Sequence, residues 1–252
     1  MLAFARETHL SETTFVQSAS AGGATYRNRI WTTGRELDFA GHPSLGVAVA
    51  EALRRGERSA RYVQQTPAGL QPVEVELGAD GSAARAEMLQ EPATFLATPD
   101  PEIVARAVGL APADLDAELR PQFVATGVPQ LIVPVANAAA LERAAARDAG
   151  ELGGLIASGD GVVVYLAVVG KDGHGRARSF FAEGPQVVED PATGSAVGPL
   201  CAYLARYAGI DAITIEQGEH AGRPSRLDAR VEGDGVRVGG QAVVVMTGEV
   251  TL

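Results

Sequence analysis

Apolar and polar residues alternate along several short runs of the chain. Val73-Glu74-Val75-Glu76-Leu77 is the clearest. A period of two buries one face of a strand and leaves the other toward water. The same reading gives candidate strands at Thr25–Trp31, Ala60–Gln65, Pro72–Leu77, Ala83–Leu89, Gln130–Val135 and Gly161–Val168. Further candidates are Arg178–Phe181, Ala212–Glu216, Ser225–Glu232, Gly235–Val238 and Ala242–Met246. Gly233-Asp234-Gly235 and Gly78-Ala79-Asp80-Gly81 read as hairpin turns between such runs.

Two segments break this alternation in the same way. Gly41-His42-Pro43-Ser44 precedes the run Leu45–Leu53, and Thr193-Gly194-Ser195 precedes the run Ala196–Leu204. Each is a tight glycine-containing turn entering a helix that is apolar nearly all round, and such a helix is expected to lie inside a surround of strands. Two of them suggest two similar lobes, with coincidence among small-residue helices as the alternative. Ala97-Thr98-Pro99-Asp100-Pro101-Glu102 reads as a connector leading into a helix around Glu102–Val108, with another helical start at Ala111–Leu115. The lobes are accordingly expected over 1–104 and 105–252, with a last strand at about 241–252 as a candidate to return to the first lobe. Ala138–Asp148 is expected to be one Ala-rich helix capped by Asn137.

Composition narrows the class. The 252 residues include 31 Asp and Glu against 21 Lys and Arg, a formal charge of −10 that argues against a clustered basic surface for nucleic acid. The longest apolar run, Val162–Val169, is too short to span a bilayer. The first ten residues, interrupted by Arg6, Glu7 and His9, carry no secretory pattern. Cys201 is the single cysteine, which removes an intrachain disulfide framework, a cysteine-rich zinc site and any mechanism needing two thiols of one chain. Lys171 is the single lysine and so the one candidate for Schiff-base chemistry. No metal motif is present. A soluble, cytoplasmic protein acting on a small molecule is expected.

The candidate chemistry gathers at the two turns. A helix start presents unpaired backbone N–H groups and a positive dipole end, a ready site for a carboxylate. Gly41 and Gly194 would let the backbone approach such a ligand. The plainer alternative is that Ser44, Thr193 and Ser195 are only helix caps. His42 is a donor, a proton carrier or a packed loop residue. Asp190, between Glu189 and Pro191, orients a substrate amine or a histidine, or simply opens a turn. Glu12, in Leu10-Ser11-Glu12-Thr13-Thr14-Phe15-Val16, enters an apolar strand; partial burial would suit it to proton exchange near neutral pH, whereas a surface or capping Glu is the alternative.

Three motifs occur in order: Ser11-Glu12-Thr13-Thr14-Phe15-Val16, Gly41-His42-Pro43-Ser44-Leu45-Gly46 and Glu189-Asp190-Pro191-Ala192-Thr193-Gly194-Ser195-Ala196. With Gly222-Arg223-Pro224-Ser225 and Val238-Gly239-Gly240, they resemble the signature of the PhzF-like phenazine-biosynthesis isomerases from about Leu2 to Leu252. The resemblance implies an α+β fold like that of diaminopimelate epimerase: two pseudo-symmetric lobes, each a curved, mostly antiparallel sheet around a central helix, with the active site where the two helix starts meet. It also places Met1 in the helix that follows the family's usual first strand and Gly-Asn-Pro turn, so that strand is expected to be missing from this sequence.

The resemblance further implies a cofactor-independent isomerase that moves a proton between carbons of a small cyclic acid similar to dihydro-3-hydroxyanthranilate. Carried over by motif, Glu12 is the general acid/base, His42 and Asp190 are its partners at the substrate, and Gly41, Gly194 and Ser195 bind the substrate. The partner is a small carboxylate, without nucleic acid or membrane, and family members are often homodimers. Two other functions stay open: an epimerase or racemase of a small amino or hydroxy acid, and a non-catalytic small-acid-binding protein.

Overall fold

The computed structural model describes residues 1–78 and 84–250. The hairpin expected at 78–81 therefore falls largely outside the described residues. Contacts divide the chain into two compact units, one made of Met1–Leu89 with Gly239–Leu252, the other of Gln90–Val238.

The first unit opens with α1 (Leu2–Thr8), which ends at His9 in the left-handed conformation. β1 (Thr13–Gln17) pairs antiparallel with β2 (Tyr26–Trp31), which also carries the short β3 (Glu36–Leu37). β2 runs parallel to β4 (Ser59–Thr66), and β5 (Gly69–Leu77) and β6 (Ala84–Gln90) continue antiparallel. The helix α2 (Gly41–Arg55) packs on β1, β2, β4 and β5. Alternation explains its bed: Tyr62, Val73, Val75, Ala84, Ala86 and Met88 all turn toward Val47, Ala48 and Ala52 of the helix. α2 is not apolar all round, because it buries Glu51 under bonds from Arg54 and Arg55. Those two guanidinium groups hold the Glu51 carboxyl below its ordinary range, against the opposing effect of its burial.

The second unit contains β7 (Thr94–Phe95), β8 (Gln122–Ala125), β9 (Pro129–Pro134), β10 (Val164–Val169), β11 (His174–Glu183), β13 (Ala212–Gln217) and β14 (Ser225–Glu232) in that spatial order. β12 (Gln186–Asp190) pairs with β11. β15 (Gly235–Ala242) follows β14 and carries the chain back to the first unit at Gly239. β9–β10 and β11–β13 are parallel, whereas β10–β11, β11–β12, β13–β14, β7–β8 and β8–β9 are antiparallel.

Here the central strands are buried on both faces. Val124, Ile132, Tyr165 and Ala167 face α6 (Gly194–Ala208), while their neighbours Phe123, Leu131, Val133, Val164 and Leu166 face a second core under α3 (Pro101–Ala107), α4 (Ala138–Arg143) and α5 (Ala149–Ala157). That two-sided burial is why Val162–Val169 is continuously apolar rather than alternating. α6 is buried without a break from Ala196 to Leu204. Each unit is thus a mostly antiparallel sheet around one central helix, the α+β architecture expected. The two central helices are alike in build: each has 15 residues and ends at a left-handed glycine, Gly56 and Gly209, both with φ of 70°.

Two local expectations are corrected. The Ala-rich helix stops at Arg143, and a separate helix, α5, begins at Ala149 under the Asp148 cap. The break has a cause: Arg178 draws the carbonyls of Leu141, Glu142 and Ala144, and the Ala145 N–H donates to Val108 instead of back along the helix. Asn137 does cap α4, accepting from the Ala140 N–H. The strand expected at Ala242–Met246 ends at Ala242, and Val243–Met246 lie exposed outside any strand. Their β propensity alone does not make a strand, since ladder partners supply most of a strand's stability.

Candidate active site

Glu12 lies between the end of α1 and the start of β1. An edge-to-face contact of Phe4 with Phe15, 5.9 Å between centroids, packs the helix against that strand. The Glu12 side chain keeps 18% of its exposure, so it is not a solvated surface Glu. Its Oε2 stands 3.1 Å from Nε2 of His42, the second residue of α2, whose side chain is 45% exposed. The first unit therefore brings two expected site residues, 30 positions apart in sequence, into hydrogen-bond range.

The start of α2 is pinned from below. Gln64 Nε2 donates to the Ser44 carbonyl at 2.6 Å, and Asn28 Nδ2 donates to Gln64 Oε1 at 2.9 Å. Both side chains are fully buried. Ala40 is the N-cap of α2 and Thr193 that of α6, and neither helix start carries a side-chain cap bond. Thr193 thus holds the N-cap position without a side-chain cap bond, and Ser44 and Ser195 lie inside their helices rather than at the cap.

In the second unit, Glu189 and Asp190 are neighbours on β12 and so point to opposite faces. Glu189 is engaged by Arg178 through two bonds, Nε to Oε1 at 2.9 Å and Nη2 to Oε2 at 2.7 Å. Asp190 Oδ2 accepts the Thr193 hydroxyl at 2.6 Å across the turn, so Asp190 does open that turn. Gln217, at the end of β13, donates through Nε2 to the Asp190 carbonyl at 2.7 Å and to Thr193 Oγ1 at 2.9 Å. Ser195 Oγ accepts from Gln130 Nε2 at 3.2 Å, and Gln90 Nε2 donates to the Gly194 carbonyl at 3.1 Å. The second unit thus gathers Asp190, Gly194 and Ser195 in one turn, held by buried glutamines.

None of these buried amides, nor Asn28, stood out in the sequence. A signal was nevertheless there. Gln64 shares its strand parity with Tyr62 and Thr66, Gln217 with Ile213 and Ile215, and Asn28 with Tyr26 and Ile30, all buried. An amide on the apolar parity of a strand must find its bonds inside the protein.

Gly218, immediately after Gln217, has φ of +89°, and a Cβ there would stand 2.4 Å from the Arg223 carbonyl oxygen and 2.5 Å from that of Pro191. Gly218→Ala is expected to cost more than about 2 kcal/mol, from the left-handed backbone and from displacing two backbone groups. Because Pro191 follows Asp190, activity is expected to fall with stability. Urea unfolding read beside turnover checks this; an unchanged midpoint would contradict it.

Cys201 is the eighth residue of α6, wholly buried, with burial first and then the Asp211 charge pushing its thiol up to about 12. It is therefore a neutral thiol at ordinary pH. Native protein at pH 8 is expected to resist a disulfide-exchange reagent and to react with it in urea. Full labelling of the folded protein would contradict this placement. Among the described residues no group of three or more His, Cys, Asp or Glu is placed to hold a metal, and no helix is long and apolar enough to cross a membrane.

The chain matches the family model described as phenazine biosynthesis-like protein (PhzC-PhzF) over residues 1–248. It is 36% identical to an uncharacterised isomerase of Mesorhizobium japonicum, covering 99% of this chain and 87% of that protein. It is also 36% identical to the trans-2,3-dihydro-3-hydroxyanthranilate isomerase of Pseudomonas aeruginosa, over 94% of this chain and 81% of the relative. Among solved structures, a predicted epimerase of Pseudomonas aeruginosa superposes with a TM-score of 0.79 at 34% identity, covering 98% of this chain and 88% of that one. The chain belongs to the phenazine biosynthesis-like enzyme family, whose two sequence relatives named above are isomerases.

Proposed function

We propose that this protein is an isomerase that moves a proton between two carbons of a small cyclic carboxylic acid related to trans-2,3-dihydro-3-hydroxyanthranilate. The observation that carries this is the mostly buried Glu12 carboxyl, 3.1 Å from His42 in a member of an isomerase family. As carboxylate, Glu12 breaks a C–H bond by taking its proton, and the electron pair spreads into the conjugated acid. As carboxylic acid, Glu12 then returns that proton to a second carbon, so the same residue serves both steps and no atom is gained or lost. The family resemblance assigns Gly41, in the first unit, and Gly194, in the second, to the substrate carboxylate through their backbone N–H groups. The same resemblance assigns His42 and Asp190 to the ring amine and hydroxyl groups, with Ser195 as a further contact. A homodimer belongs to the same reading and comes from the family resemblance, and a cytoplasmic location comes from the sequence pattern.

The test offers the protein trans-2,3-dihydro-3-hydroxyanthranilate and follows the position of its ring hydrogens by NMR. Migration of one hydrogen to a different carbon is the expected result. The similarity to a predicted epimerase favours one second reading, stereochemical inversion of a small amino or hydroxy acid. A panel of L-amino and L-hydroxy acids, read by loss of optical rotation, separates the two. Rotation lost without migration would replace the first reading by the second, and neither activity would leave a small-acid-binding protein.

A further inference from the structure

Four hydrogen bonds meet at the Gln217 side chain, which is only 4% exposed. Oε1 accepts from the Tyr165 hydroxyl at 2.9 Å and from the Thr193 backbone N–H at 3.3 Å. Nε2 donates to the Asp190 carbonyl at 2.7 Å and to Thr193 Oγ1 at 2.9 Å. The amide's orientation is set by backbone groups that cannot change roles: an N–H faces its oxygen and a carbonyl faces its nitrogen. Its capacity is full, with two donors and two acceptor positions used.

That arrangement fixes a direction. The amide nitrogen can only donate, so Thr193 Oγ1 must accept from it, and the hydroxyl's single proton is left for Asp190 Oδ2 at 2.6 Å. Tyr165 stays protonated as the outer donor, since complete burial, and then the Asp190 charge, push its phenol well above the ordinary range. Bonds therefore run one way, from Tyr165 through Gln217 and Thr193 to Asp190. Oδ2 is held as an acceptor, and a proton or a substrate donor is directed to Oδ1.

We propose that Gln217 is a positioning residue that, through the Thr193 hydroxyl, holds Asp190 Oδ2 as an acceptor with Oδ1 presented to the substrate's amine or hydroxyl group. This rests on the reading of Asp190 as a substrate contact, and it adds the residues that set the aim of that contact. Thr193→Val removes the hydroxyl, and with it both the bond to Asp190 Oδ2 and the acceptor of Gln217 Nε2. Gln217→Glu keeps the shape but puts an acceptor where Nε2 stood, so the Thr193 hydroxyl turns away from Asp190. Thr193→Ser keeps the hydroxyl and serves as the rescue.

The experiment measures kcat and KM of the full chain and its variants with trans-2,3-dihydro-3-hydroxyanthranilate, with Asp190→Asn as the reference for loss of the contact. Thr193→Val and Gln217→Glu are expected to lower kcat about tenfold, with a smaller change in KM. Thr193→Ser is expected to turn over close to the parent. If Gln217→Glu fails to fold, Thr193→Val alone decides. A folded Thr193→Val protein that turns over at the parent rate, while Asp190→Asn is impaired, overturns the inference. Asp190→Asn turning over at the parent rate overturns instead the role of Asp190 at the substrate, which tells the two failures apart.

Discussion

Glu12→Gln is expected to lower kcat on the order of 10²- to 10⁴-fold, the range for removing a positioned general acid/base. The amide keeps the size and packing of the carboxyl and can still meet His42, 3.1 Å away in the parent, but it can neither take a proton from carbon nor give one back. Folding and binding of a product-like carboxylate are expected to persist, because the proposed carboxylate contacts are backbone groups at Gly41 and Gly194. Glu12→Asp separates geometry from chemistry. It retains the proton-carrying group but withdraws it by one methylene, so its activity is expected between that of the parent and that of Glu12→Gln. Thermal unfolding, ligand titration and kcat, measured on the same preparations, check all three statements. Parent-level turnover by a folded Glu12→Gln protein would remove Glu12 from the mechanism.

The largest expected loss of stability comes from Arg178→Met. Arg178 is 8% exposed, holds both oxygens of Glu189, closes the end of α4 through three carbonyls and lies over the Phe180 ring at 4.9 Å. Removing one partner of such a pair leaves an uncompensated, largely desolvated carboxylate, a loss of roughly 3–5 kcal/mol. The double variant Arg178→Met with Glu189→Met removes both charges together and is expected to recover part of that loss. Urea midpoints of the single and double variants measure the difference. A single variant within about 1 kcal/mol of the parent would show that Arg178 behaves like a surface ion pair. The pair also explains why adjacent carboxylates have different fates: Glu189 faces Arg178, and Asp190, on the opposite face, is held by Thr193.

Much of this was legible in the sequence because short-range rules decide it. The two glycine turns and apolar helices came out as α2 and α6, and Ser225–Glu232 is a strand over its whole expected length. Asn137 caps its helix because capping depends on residues three positions away. What escaped depends on distant partners. The Ala138–Asp148 stretch has the composition of one helix, and nothing local reveals that Arg178, 34 positions beyond Ala144, ends it. β8 and β12 are short runs whose strand character comes from their ladders with β9 and β11. The amides were readable in principle by parity, yet a polar residue in a strand ordinarily suggests the solvent face. Of the candidate site residues, the motifs indicated Glu12, His42 and Asp190, while the bonds leading to Asp190 run through Tyr165 and Gln217, 52 positions apart.

Proton transfer by Glu12 is tested most directly by solvent-hydrogen exchange. The parent and Glu12→Gln proteins are each saturated with trans-2,3-dihydro-3-hydroxyanthranilate in D2O, and deuterium in the recovered acid and its product is read by NMR and mass spectrometry. The parent is expected to place deuterium at the carbon that receives the proton, and Glu12→Gln, equally occupied by the ligand, to place none over the same time. Equal deuterium incorporation by the two proteins would contradict the assignment.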